Sequence, residues 1–304
     1  MNKKAYLQIS FAWMFAIIVG AFIIFLAVFA VTKFSGIQET KQDVEAGEEL
    51  GILLNPLETS FEQGSTTTLS TPSESRIFLG CEEEGDFGKQ EIKVNQKFKN
   101  QWSDTDIDIT FQNKYLFADR FVEGRNFYVF SKPFSFPFQV ATLSYITSSE
   151  NKFCFIDAPR ETNEQIENLN QANLFTENCP EERTEICFDD ICEISVDLNK
   201  KSVTKKGKVF YFEGDALMFA AIFSNSDLYE CQLSRLMNRT KILSDVYIEK
   251  SSQTAGDCTL FSYEQLNALK SEASIFQDSD GLWKIAQIAE DLESRAHASY
   301  CRLW

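Results

Sequence analysis

Between Lys4 and Lys33 the chain carries no charged side chain, and from Phe11 to Val31 it is apolar almost without interruption. This run constrains the fold more than any other feature. Coiled as an α-helix it would be roughly 31 Å long at about 1.5 Å per residue, close to the ~30 Å hydrocarbon core of a bilayer. The apolar part of a secretory signal usually has about 7–15 residues. The length therefore predicts a retained single-pass anchor, with the lipid bilayer as its partner through residues 11–31. Val28-Phe29-Ala30 has the small-residue spacing that a signal peptidase accepts, so cleavage after Ala30 is the alternative.

Charge gives the orientation. Lys3 and Lys4 precede the run, whereas Lys33 is soon followed by Glu39, Asp43, Glu45, Glu48 and Glu49. Basic residues collect on the cytoplasmic side, which predicts a cytoplasmic N-terminus and a body outside the cell membrane. Residues 1–33 contain no acid, so the body holds the whole acid excess of a chain whose net charge is −16. That balance argues against nucleic acid, which needs a surplus of Lys and Arg to displace its counterions.

All eight cysteines (Cys81, Cys154, Cys179, Cys187, Cys192, Cys231, Cys258 and Cys301) lie beyond residue 80. An even number confined to one side of a membrane suits an oxidising compartment and predicts disulfides, though eight cysteines allow 105 pairings. One pair is more specific. In EICFDDICEI (185–194), a two-residue turn at Asp189-Asp190 sets Cys187 opposite Cys192 at the close-approach position of an antiparallel pair, and predicts a bond between them. The chain has no C-x-x-C and a single histidine, His297, so no metal or cofactor site is expected.

Three regions follow: an anchor over 1–33, a helical extension and flexible linker over 34–75, and a disulfide-bridged ectodomain over 76–304. The linker rests on composition, since nine of the sixteen residues from Ser60 to Ser75 are Ser or Thr. RIFLGC (76–81), NFYVFSK (126–132), FQVATLSYI (138–146) and KFCFID (152–157) read as strands, and Pro133 and Pro137 mark an edge or loop. A helix is expected after Pro159, with Ile166, Leu169 and Ala172 on one face. Beyond Gly214 the pattern is helical: Tyr229, Leu233, Leu236, Thr240, Leu243 and Tyr247 share one face, and Leu282, Ile285, Ala289, Leu292 and Ala296 another. Ser262 and Gln265 form a capping box, with Phe261 placed to staple onto Leu266. The fold class is α+β, with antiparallel strands followed by a C-terminal helical half.

Candidate chemistry is sparse, and no catalytic residue is assigned. Asp104, Asp106 and Asp108 share a face but lack the glycine and the bidentate acid of a calcium loop, and DSDG (278–281) reads as the turn and N-cap of the last helix. CEEEGD (81–86) reads as an acidic surface loop, and His297 as a surface histidine. Asn238-Arg239-Thr240 is the one N-glycosylation sequon, and it falls in an expected helix.

The N-terminus KKAYLQISFAWMF resembles the archaeal class III type IV pilin signal, in which a basic pair and a small residue precede a Q-x-S core. Lys3, Lys4 and Ala5 match the first part, and Gln8 and Ser10 the second. Tyr6 and Leu7 are extra, and Ala12 stands where the family has a glutamate that registers subunits. The resemblance implies processing after Ala5 and assembly into a filament. More loosely, QISFAWMFAIIVGAFIIFLAVFA, EGDALMFAAIF and the terminal cysteine helix resemble uncharacterised single-pass surface proteins of small-genome archaea. The expected function is that of a membrane-anchored extracytoplasmic structural or interaction protein of the cell envelope, pilin-like in its most concrete version, with a protein partner or self-association. The alternative is a membrane-tethered extracytoplasmic hydrolase whose acids converge only in three dimensions.

Overall fold

The computed structural model describes residues 13–31, 66–98, 100–103, 109–253, 258–298 and 303–304, without the side chains of 98, 258–262 and 298. The expected helical extension that opens the 34–75 region, the Asp104–Asp108 segment and Cys301 lie outside these. So do the side chains of Ser262, Phe261 and Cys258.

The first helix, α1 (Trp13–Val31), is long and apolar enough to cross a membrane, and none of it is buried against the rest of the chain. Among the described residues thirteen strands and five further α-helices form the body, an α+β arrangement with two sheets.

The first sheet is ordered β3 (Gln101–Trp102), β2 (Lys89–Phe98), β1 (Thr66–Glu82), β6 (Phe121–Ser135), β7 (Gln139–Ser148), β5 (Tyr115–Phe117), with β4 (Ile109–Phe111) also on β2. Its long strands alternate: Ile77 and Leu79 of β1 and Ile92 and Val94 of β2 point inward, while Phe78, Arg76, Lys93 and Asn95 point out. β1 begins at Thr66, which corrects the linker reading. Residues 66–70 pair with Phe130 to Asn126 of β6, the Thr66 hydroxyl donates to the Leu169 carbonyl, and Ser75 is fully buried. Composition took Ser and Thr as signs of weak burial, but Thr is β-branched and fits a half-buried pleat.

The second sheet runs β13 (Lys208–Tyr211), β12 (Ser202–Lys205), β11 (Ile194–Asp197), β10 (Thr184–Phe188), β8 (Phe153–Ile156), β9 (Leu174–Phe175). It is mixed. β9, β8, β10 and β11 pair in parallel, and β11, β12 and β13 antiparallel, so the antiparallel expectation holds for only part of the body. Asn173, fully buried, donates to Thr147 Oγ1 and to the Ser148 and Asn151 carbonyls, tying the crossing between the sheets to β9.

The helices are α2 (Arg160–Leu169), α3 (Gly214–Phe223), α4 (Ser226–Gln253), α5 (Cys258–Ser274) and α6 (Leu282–Ala298). α3 is buried from Ala216 to Phe223 all round and touches β6 and β7 of one sheet and β12 of the other. A helix apolar on every side belongs in a core, and this one is its centre. Phe130, Tyr145, Phe219 and Phe223 pack ring on ring there, with Phe130 and Tyr145 centroids 4.5 Å apart. The Tyr145 hydroxyl donates to Ala216 O at 2.7 Å, so even the aromatic core has its polar handle satisfied.

α4 buries Tyr229, Leu233, Leu236 and Thr240 and carries α5, on which α6 packs. One continuous apolar cluster joins α2 through α6 to strands of both sheets, so the strand-rich and helical halves share a core. Ala172 is exposed and lies past the end of α2. α5 begins at Cys258, four residues before the expected cap, which places Ser262 inside the helix.

Candidate functional site

Among the described residues three disulfides brace the body: Cys81–Cys231, Cys154–Cys179 and Cys187–Cys192, with Cα–Cα distances of 6.1, 5.8 and 6.0 Å. The first ties β1 to α4 across 150 residues of sequence. The third closes a loop of five. Its setting corrects the hairpin expectation. β10 and β11 pair in parallel, with Cys187 opposite Ser195, and Cys192 lies in the connection rather than on a facing strand. Asp-Asp is a poor two-residue hairpin turn. Instead Asp189 adopts φ 59°, its N–H donates to Val196 O, and the chain loops back to restart in the same direction. Parallel neighbours ordinarily need a crossover of a dozen residues or more; here the disulfide holds a much shorter connection closed. Glu185, Cys187 and Cys192 cluster within 4.8 Å, but the two sulfurs are bonded to each other and offer no thiolates to a metal.

A groove of about 500 Å³ lies where β6 runs past the start of β1. Phe130, Phe134 and Leu169 form its apolar wall, and the N-terminus of α3 one end. Lys132 points into it. Its Nζ donates to Gln165 Oε1, stands 3.9 Å from Asp215 Oδ2 and lies 4.6 Å from the centre of the Phe219 ring. Gln165 Nε2 donates in turn to Asp215 at 2.8 Å. Burial pushes the Lys132 ammonium pKa down, and the Asp215 carboxylate opposes the shift. An inward lysine followed by Pro133, which has no N–H to offer, blunts an exposed sheet edge. The sequence expectation of an edge at Pro133 and Pro137 fits this end of β6. The groove is lined by the half-buried Lys132 amine, the amide residues Gln165 and Asn168, and the acids Glu213 and Asp215.

A hydrolase of the expected kind needs two carboxylates whose environments push their pKa values apart. Glu230 has its carboxyl pKa shifted upward by burial. It is occupied: Ser279 donates its N–H at 2.8 Å and its hydroxyl at 2.6 Å to Glu230. Glu74 and Glu82 are exposed and held down by hydrogen bonds from Lys97 and Lys89. The geometry therefore assembles no acid–base pair in a cleft among these groups.

The residues singled out by sequence scatter. Glu83, Glu84 and Asp86 are exposed at the turn between β1 and β2. DSDG forms a 3₁₀ turn at Ser279–Gly281 ahead of α6. His297 is exposed beside Glu293, at 3.2 Å. Asn238 lies within α4, and the Thr240 hydroxyl is buried and donates to Leu236 O, so the sequon is not presented for glycosylation in the folded protein.

Sequence reasoning missed Arg235. It is fully buried without a carboxylate partner, and donates to the carbonyls of Phe87, Gln112 and Lys114 and to Gln232 Oε1. Its guanidinium also lies 4.7 Å from the Tyr115 ring centre. Nothing local announces such a residue, because its carbonyl partners come from loops more than 120 positions away. Gly88, at φ 56°, is the one legible sign: a Cβ there would strike the Glu82 carbonyl and the Arg235 stem.

No known family matches the chain, and neither a curated protein nor a solved structure is similar to it.

Proposed function

We propose that this is a single-pass membrane protein whose disulfide-braced body lies outside the cell and acts by interaction within the envelope. One observation carries the reading: α1 is apolar from Trp13 to Val31 and wholly exposed, while the cysteine bridges all lie in the body that follows. Leaving so much apolar surface in water is costly, and bridges of this kind persist in oxidising compartments. The basic residues Lys3 and Lys4 support a cytoplasmic N-terminus.

The most specific version is a pilin-like assembly subunit, supported by Lys3, Lys4, Ala5, Gln8 and Ser10 and weakened by Ala12. Mass spectrometry of the native N-terminus tests the set. A start at Met1 or Asn2 with the protein resisting carbonate extraction is the result expected of a plain anchor. A start at Tyr6 supports the pilin-like version, and a start at Val31 overturns the anchor.

A further inference from the structure

A second groove, of about 640 Å³, lies between the first half of α6 and the turn that joins β11 to β12. That volume is in the range of small-molecule sites. One wall is the helix. Trp283, Gln287 and Glu290 stand at i, i+4 and i+7, so they share a face, while Leu282, Ile285 and Ala289 are buried. Leu282 and Ala286 form the buried floor. The β11–β12 turn supplies Asn199 and Lys200, and the 3₁₀ turn ahead of α6 supplies Asp280.

Trp283 is the unusual feature. Indoles are mostly buried in folded proteins, yet this one is 54% exposed at the side of a groove. The polar groups around it are unused as well. Among the described residues, the side chains of Asn199, Asp280, Gln287 and Glu290 make no hydrogen bond or ion pair within the protein. The lysines are already engaged. Lys200 pairs with Asp197 and Lys201 with Glu213, each at 2.7 Å, and Lys284 Nζ stands 5.8 Å from the centre of the Trp283 ring.

We propose that this groove binds a neutral glycan, a chain of uncharged pyranose rings. Three features select that class. A pyranose ring presents a patch of C–H groups that rests on the electron-rich face of an aromatic ring, which Trp283 supplies. Its hydroxyls both donate and accept: the Asp280 and Glu290 carboxylates accept, and the Asn199 and Gln287 amides do both. Charge is the third. With Lys200 and Lys201 paired, Asp280 and Glu290 remain as unneutralised carboxylates, which repel an acidic ligand.

A cation would suit the carboxylates and the indole, but it would meet Lys284 at the ring and leave the amide N–H groups unused. A dry protein interface would strip two carboxylates of water that have no partner in this chain. A glycan reaches them through hydroxyls and leaves the lysine pairs solvated. The inference gives the proposed interaction role a partner class, and it rests on the body lying outside the cell.

The test titrates neutral pyranose oligosaccharides, their uronic-acid counterparts and spermidine into the full-length protein, read by calorimetry. The micelles are of a polyoxyethylene ether, because a sugar-headed detergent would compete. A neutral probe is expected to bind about tenfold tighter than its uronic-acid counterpart and than spermidine. Saturation transfer from aromatic protons should reach the C–H face of the bound ring. Trp283→Ala should weaken binding about tenfold and remove that transfer, and Gln287→Ala with Glu290→Ala should weaken it about as much. Tyr263→Ala, an equally exposed aromatic on α5, should leave it intact. All four positions are exposed, so each variant should keep the wild-type circular dichroism spectrum. No binding of any neutral probe, equal or tighter binding of spermidine or the acidic probes, or wild-type affinity in Trp283→Ala would each overturn the proposal. Failure here with the protein still resisting carbonate extraction removes the glycan site alone. Neutral-glycan binding by a protein that carbonate releases supports the site and removes the anchor alone.

Discussion

The two sheets are stapled in opposite ways. In the first, Cys81–Cys231 reaches across 150 residues to fasten β1 to α4, and Arg235 of the same helix knots three loop carbonyls beneath it. In the second, Cys187–Cys192 spans five residues and fastens a connection to the strand it has just left. A bridge over a long loop removes much conformational freedom from the unfolded chain, and one over a short loop removes little. The long staple is therefore a device for stability. The short one is a device for shape, since it lets two parallel strands be neighbours with no crossover helix between them.

The largest effect should come from opening the long staple. The chain-entropy relation for a loop of this size gives about 5 kcal/mol for Cys81→Ser with Cys231→Ser, read from the urea midpoint of the full-length protein. A loss under about 1 kcal/mol would mean that packing alone holds α4 on the sheet. The wild-type protein, mapped without reduction, should yield the three described bridges and leave Cys258 and Cys301 to each other. Arg235→Met comes next. It keeps much of the stem but orphans the carbonyls of Phe87, Gln112 and Lys114, for a loss of about 3 kcal/mol. Opening the short staple with Cys187→Ser and Cys192→Ser should cost about 2 kcal/mol. It should also raise amide exchange from Asp189 to Val196 while leaving α4 protected. A cost equal to that of the long staple would erase the distinction.

What could be read from the sequence divides along the same line. RIFLGC, NFYVFSK and FQVATLSYI are short aromatic or β-branched runs bounded by Gly, Pro, Asn or Ser, the mark of a strand; all three lie in the first sheet. The faces of α4 and α6 were legible from their 3.6-residue spacing. In the second sheet KFCFID was legible as β8, but the direction of pairing was not. EICFD and EISVD look alike whether they pair parallel or antiparallel, and only the path of the connection decides. The groove at Lys132 was hidden more deeply, because Gln165 and Asp215 come from two helices 33 and 83 residues further on.

The smallest effect concerns a third junction that uses no covalent staple. Glu230 of α4 accepts from the backbone and side chain of Ser279, and Ser279 Oγ accepts the Tyr211 N–H, so one serine joins α4, β13 and the turn before α6. Burial raises the Glu230 pKa, with Asp278 and Asp280 adding repulsion and the Ser279 bonds opposing both. The native state therefore holds this proton more tightly than the unfolded chain does. Its contribution is full below the ordinary glutamate pKa and is lost as pH rises through the raised value. Glu230→Gln keeps an acceptor for Ser279 and removes the buried charge. At neutral pH the variant should be slightly more stable than the wild type, by less than any of the losses above. The difference in urea midpoint should shrink as pH falls through the carboxyl range. The exposed carboxylates with lowered pKa values, Glu74, Glu82, Asp197 and Asp227, tilt both proteins equally and cancel in that difference. A difference that grows toward acid would show that the ionised carboxylate stabilises this junction, and that its hydrogen bonds from Ser279 outweigh its burial.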